Sequence, residues 1–146
     1  MVSLRLGLVA GMCLWSAGCA RPAGPAGNMN GDAYLQSILQ KTPHKQEALS
    51  WLKQGDSKER TIGDGEQDAA ASLRLVQDLY RHGALEVIAV DIDVDTHLET
   101  TSTLIVRLPA EAAARQAVFR DEAEAGRAGG FEASADEGQS YVMLHW

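Results

Sequence analysis

The sequence predicts an α+β fold, a small two-layer sandwich in which helices cover one face of a short sheet. Three observations carry this reading. Ala69, Leu73, Val76, Leu79 and Tyr80 recur at helical spacing. The pattern then switches to alternation from Leu85 to Val94 and again from Thr103 to Leu108. A second helical stretch opens at Pro109, and the chain closes on the alternating "YVMLHW". Two helices against a sheet of this order, helix–strand–strand–helix–strand, form one compact layer pair.

Residues 1–18 read as a signal peptide. Arg5 supplies the one early positive charge, Leu6 to Trp15 form a short apolar run, and Ser16, Ala17 and Gly18 are small. The run is too short to cross a bilayer, which takes about 20 apolar residues. Ser16-Ala17-Gly18-Cys19 resembles the lipobox of bacterial lipoproteins. That resemblance implies cleavage between Gly18 and Cys19, a diacylglycerol on the Cys19 sulfur and an N-acyl chain on its new amino group. It also implies a palmitate-labelled protein at the cell membrane. Ala20 stands where an Asp would signal inner-membrane retention, so in a diderm cell the resemblance implies the outer membrane, facing the periplasm. The same residues also accommodate ordinary cleavage after Ala20, which would release a soluble exported domain. Cysteine usage fits the anchor: Cys13 falls within the signal, leaving Cys19 as the one mature cysteine, unable to form an internal disulfide. Residues 19–31 then read as a flexible, lipid-anchored tether rich in Pro and Gly.

Residues 32–55 are expected to form a short helical extension. Asp32 is placed to cap a helix carrying Tyr34, Leu35, Ile38 and Leu39. Thr42-Pro43 looks like a cap and first turn of a second helix through Leu49, Trp51 and Leu52, stopped by Gly55. Arg60-Thr61-Ile62 is a candidate for a very short strand.

The α+β domain is expected over 64–146. Asp64 with Gln67 reads as a helix cap, and Gly83 as the stop. Ile88, Val90, Ile92 and Val94 should share the inward face of the next strand, and Leu104, Val106 and Leu108 that of its hairpin partner. Ala110, Ala113, Ala117 and Val118 should face the sheet from the last helix. Residues 124–140 read as an acidic, Gly-rich loop, and Val142, Leu144 and Trp146 as one side of a final strand. The order resembles a ferredoxin-like split βαβ fold whose first strand the 57–63 segment could supply, a likeness that implies no activity.

The chain carries 13 basic and 20 acidic side chains, a net charge of −7, with no Lys/Arg cluster. This excludes nucleic acid as a partner and adhesion to anionic lipid by charge alone. The most suggestive polar cluster is "DIDVDTHLE", in which alternation would put Asp91, Asp93, Asp95 and His97 on one strand face as candidate ligands of a divalent cation. A calcium loop is not matched, because Thr96 occupies the glycine position and Ser102 the final glutamate position. Alternate residues on a strand also stand about 7 Å apart, wide for shared coordination. Acids on a hairpin equally serve to keep an edge from pairing. No Ser lies in a Gly-x-Ser-x-Gly elbow, and His44, His82, His97 and His145 show no ligand spacing. Trp51 and Trp146 read as packing residues. The sequence therefore points to a lipid-anchored envelope protein acting as a non-catalytic binding or assembly module with an envelope protein partner. The surface expected to serve is the hairpin 91–103 with the last strand. The alternative is a metal-dependent envelope enzyme built on the acidic cluster.

Overall fold

A computed structural model describes residues 31–63 and 68–146. The signal peptide with Cys19, the tether as far as residue 30 and the Asp64–Gln67 cap lie outside the described residues. The elements are α1 (Asp32–Lys41), β1 (Gln46–Glu47), α2 (Ala48–Leu52), β2 (Glu59–Ile62), α3 (Ala69–Arg81), β3 (Glu86–Val90), β4 (Asp93–Val94), β5 (Leu98–Thr101), β6 (Thr103–Arg107), α4 (Ala112–Gly129) and β7 (Tyr141–His145). The class is α+β, as the patterning predicts.

One sheet has the order β1-β3-β6-β7 and is antiparallel throughout. A second has the order β2-β5-β4, with β2 parallel to β5 and β4 antiparallel to it. The two share a single hairpin. Val90 pairs with Thr103 in the first sheet and Asp93 with Thr100 in the second, the same register continued across an interruption. The interruption lies at Asp91, whose φ of 50° is left-handed, a conformation a short polar side chain tolerates.

That kink overturns the expected inward face. Ile88 and Val90 pack with Leu35, Ile38, Leu39 and Ile105 on the α1 side of the sheet. Ile92, past the kink, instead joins the main core with Val87 and Ala89, and Val94 is exposed. On the partner strand Leu104, Val106 and Leu108 do face the main core, as do Val142, Leu144 and Trp146.

The sheet is covered on both faces, so there are three layers rather than two. Residues from α2, α3 and α4 (Trp51, Val76, Leu79, Val118) meet the sheet's main-core face, and Leu35 of α1 is fully buried against the other. Residues 32–62 are thus part of the folded core rather than an extension of it. The physical reason is that β3 and β6 are apolar on both faces, which demands a second cover.

Caps decide the helix ends. The Glu47 carboxylate accepts from Leu49 and Ser50 N–H at 3.0 and 2.7 Å, so α2 starts there and not at Thr42-Pro43. Asp32 caps nothing in its own helix; its carboxylate accepts from Ser140 and Tyr141 N–H ahead of β7. Asp68 caps α3 through Ala71 N–H at 2.6 Å. Gly83, at φ 105°, closes α3 with Ala84 N–H bonded to the Leu79 carbonyl and its own N–H to that of Tyr80. Of the expected α3 stripe, Val76 and Leu79 are buried and Tyr80 packs against the core, while Leu73 gives way to Ser72. The last helix continues to Gly129, through residues expected to be loop. Its buried side is Ala117, Val118, Glu122, Ala125 and Gly126, with Ala110 and Ala113 exposed. The glycine at 126 lets the chain fold back, since a Cβ there would sit 3.3 Å from the Phe131 carbonyl oxygen.

Candidate functional site

The hairpin of β4 and β5 is the part of the molecule where polar chemistry and exposure meet. Its base is held by a buried ionic network. Glu99 on β5 accepts from the Trp51 indole N–H at 2.7 Å, from Lys58 Nζ at 3.0 Å and from Arg60 Nε at 3.1 Å. Arg60 lies beside it because β2 runs parallel to β5 with the two residues in register. The guanidinium, 3% exposed, also donates to both Asp56 oxygens at 2.6 Å and to Gln54 Oε1 at 2.8 Å. All five Arg60 donors lie on one planar fork, suited to such a cradle.

The charges in this network match: two carboxylates against Lys58 and Arg60. Burial pushes the Glu99 carboxyl up, but the indole, the ammonium and the guanidinium together hold it below its ordinary value. The Arg60 hydrogen bonds lower Asp56 to about 2. At the start of α2, burial and the Glu47 carboxylate push Tyr80 up to about 12. Its hydroxyl donates to Glu47 at 2.6 Å and accepts Val87 N–H at 3.1 Å. Tyr80 thereby occupies the place of a strand residue beside β3, where β1 has already turned into α2.

Beyond the network the hairpin tip is exposed. Val94 and Leu98 are 51% and 39% accessible. They lie on opposite faces, because Val94 pairs with Glu99 and successive residues of a strand alternate. Asp93, Asp95 and His97 adjoin them along the chain, and these three and Asp91 are all exposed. Asp91 sits in the kink, and Asp95 is a turn residue, its carboxylate accepting Thr96 N–H at 2.6 Å. The structure does not gather the four into a ligand set: among the described residues no group of three or more His, Cys, Asp and Glu is placed to hold a metal ion.

The hydroxyl run 100–103 has a structural use. Thr101 Oγ1 donates to the Val90 carbonyl and accepts Thr103 N–H, bridging the kink, and Thr103 Oγ1 meets His145 Nδ1 at 2.8 Å. His82 Nδ1 lies 2.7 Å from Asp121 of α4. Sequence reasoning treated Trp51 as packing and missed Glu99, Lys58 and Arg60. The available clue was the indole N–H itself, a donor that needs an acceptor once buried.

No family model matches the chain, and no curated protein and no solved structure shows significant similarity to it. Among the described residues no helix is long and apolar enough to cross a membrane.

Proposed function

We propose that this is a lipid-anchored cell-envelope protein whose α+β domain is a non-catalytic binding module, presenting the β4–β5 hairpin to an envelope protein partner. The supporting observation is the pairing of a base tied by a buried ionic network with a tip apolar on both faces. A braced hairpin is pre-organised, so binding costs it little ordering. A tip apolar on two sides suits insertion into a groove rather than contact with a flat surface. The acids around it favour a groove with a basic rim, through complementary charge. The anchor rests on Ser16 to Cys19, with diacylglycerol and N-acyl chains on Cys19 and the 20–31 stretch as tether. The ferredoxin-like relationship of the domain is supported by the parallel β2–β5 pair across α3, whereas β7 pairs with β6.

Two measurements test this reading. Radiolabelled palmitate should enter the wild-type protein and not the Cys19→Ala variant; an unlabelled, soluble wild type would remove the anchor. Val94→Ser with Leu98→Ser should leave thermal stability within about 0.5 kcal/mol, as exposed substitutions do, yet abolish recovery of the partner by crosslinking from intact cells. Unchanged recovery would remove the tip from the interface.

A further inference from the structure

Alternation along β2, β5 and β4 sorts the charges of the second sheet by face. Arg60 and Glu99 are in register and bonded, on the face where Ile62 joins the main core. Lys58, two residues before Arg60, reaches the same Glu99. Helices α2 and α3 cover that face, with Trp51 donating to Glu99 and Val76 and Leu79 packed in the core. Glu59 and Thr61 therefore turn to the opposite face, with Leu98 and Thr100, their partners in β5. Asp93 pairs with Thr100, and Asp95 N–H donates to the Leu98 carbonyl at 2.8 Å, which carries the same register on to the tip. Two rows thus cross this face: Glu59, Leu98 and Asp95 toward the tip, and Thr61, Thr100 and Asp93 behind them.

The face presents three carboxylates and no cation. Glu59, Asp93 and Asp95 are exposed, and among the described residues none of them is in an ion pair. Leu98, 39% exposed, stands between Glu59 and Asp95. Thr61 is 5% exposed, and its hydroxyl is the one buried side-chain polar atom among the described residues without a hydrogen-bond partner. Such an orphan is costly, so a donor that reaches it gains more than a surface hydrogen bond would. Neighbouring strands lie about 5 Å apart and alternate residues about 7 Å, so the carboxylates spread over a patch of about 10 by 7 Å. That is too wide for one metal ion and suits separate cationic groups.

We propose that this face docks an extended segment of the envelope partner that carries Lys or Arg at alternate positions. The inference rests on the hairpin tip being the docking surface and adds which wall of the partner's groove is basic. Alternate side chains of an extended chain repeat at about 7 Å, the spacing of Asp93 and Asp95. Two successive cations meet these two carboxylates, their methylene stems cover Leu98, and Glu59 faces them from the far side. An N–H of the cation beside Thr100 donates to the Thr61 hydroxyl. On the opposite face Lys58 and Arg60 are already matched by Glu99 and Asp56, which leaves Val94 to an apolar wall.

The test titrates the isotope-labelled full chain, held in a non-ionic detergent, with the end-blocked pentapeptide Arg-Ser-Arg-Ser-Arg and follows the backbone amide signals. The shifts should be largest at Glu59, Asp93, Asp95, Leu98 and Thr100. Combining Glu59→Gln, Asp93→Asn and Asp95→Asn removes three exposed pairs and should weaken binding about tenfold. The fold is kept, since Asp95→Asn leaves an acceptor oxygen for the Thr96 N–H. Absent shifts, shifts scattered over the acidic surface, or an affinity unchanged in the triple variant would overturn the proposal. The tip reading is separable: a triple variant that still captures the partner in cells, while Val94→Ser with Leu98→Ser does not, would remove the basic segment and leave the tip as the interface.

Discussion

Glu99 joins three elements through one carboxylate, and its environment makes it costly to alter. Its partners Trp51, Lys58 and Arg60 are 48, 41 and 39 positions away in sequence. Nothing in local spacing announces such a cluster, because topology assembles it only when β2 settles beside β5. Desolvating a charge pair is expensive, so the network as a whole adds little net stability, but breaking it leaves charge buried without a counter-charge. Glu99→Gln keeps the shape but leaves one carboxylate, Asp56, against the two cations Lys58 and Arg60, the latter with its side chain 2% exposed. Urea unfolding should show a loss of roughly 3 kcal/mol; a change below about 0.5 kcal/mol, typical of a surface site, would show that the network does not brace the hairpin. Asp91, Asp93, Asp95 and His97 were legible as residues of a hairpin but not in their arrangement. Alternation assumes an unbroken strand, and the left-handed Asp91 breaks it.

The kink shows how far periodicity reaches at the level of helices and strands. The α3 helix, its glycine stop and both hairpin strands were readable because each pattern is local, although the cap that starts α3 is Asp68 and not Asp64. The true start of α2 was not. Thr42-Pro43 has the right residue types, yet Glu47 wins because β1 holds Gln46 and Glu47 extended against β3. The second cover was also unread, although "EVIAV" and "TLIVR" are nearly continuous apolar runs, which mark strands buried on both faces. Helix α1 meets that demand with Leu35, fully buried against Val90 and Ile105. Leu35→Ala should cost roughly 3 kcal/mol, the usual scale for a buried leucine. Thermal unfolding that stays one cooperative transition at a lower midpoint would place α1 within the folded unit. A midpoint unmoved from wild type would make it a detachable appendage.

At the scale of the whole molecule, six carboxylates are favoured in their charged form. Hydrogen bonds and nearby cations place Asp32, Glu47, Asp56, Glu99, Glu111 and Asp136 below their ordinary values. A folded-state value below the unfolded one means that the unfolded chain takes up protons first as pH falls. The stability these groups contribute is therefore fully present above the ordinary values of 3.8 and 4.5, and is lost as pH drops toward about 2. The urea midpoint should be nearly flat from about pH 7 to 5 and fall steeply below about 4; a midpoint unchanged at about pH 3 would contradict the assignment.

The proposed recognition role of the hairpin tip on a membrane-anchored domain can be probed by placing a photoreactive amino acid at position 94 or 98 of the full-length protein and irradiating intact cells. One discrete crosslinked envelope protein is expected from either tip position, and none from the same probe at Leu85, which is 54% exposed but lies ahead of β3, at the end of that strand away from the kink. Absence of any adduct from the tip, or the same adduct from Leu85, would contradict it.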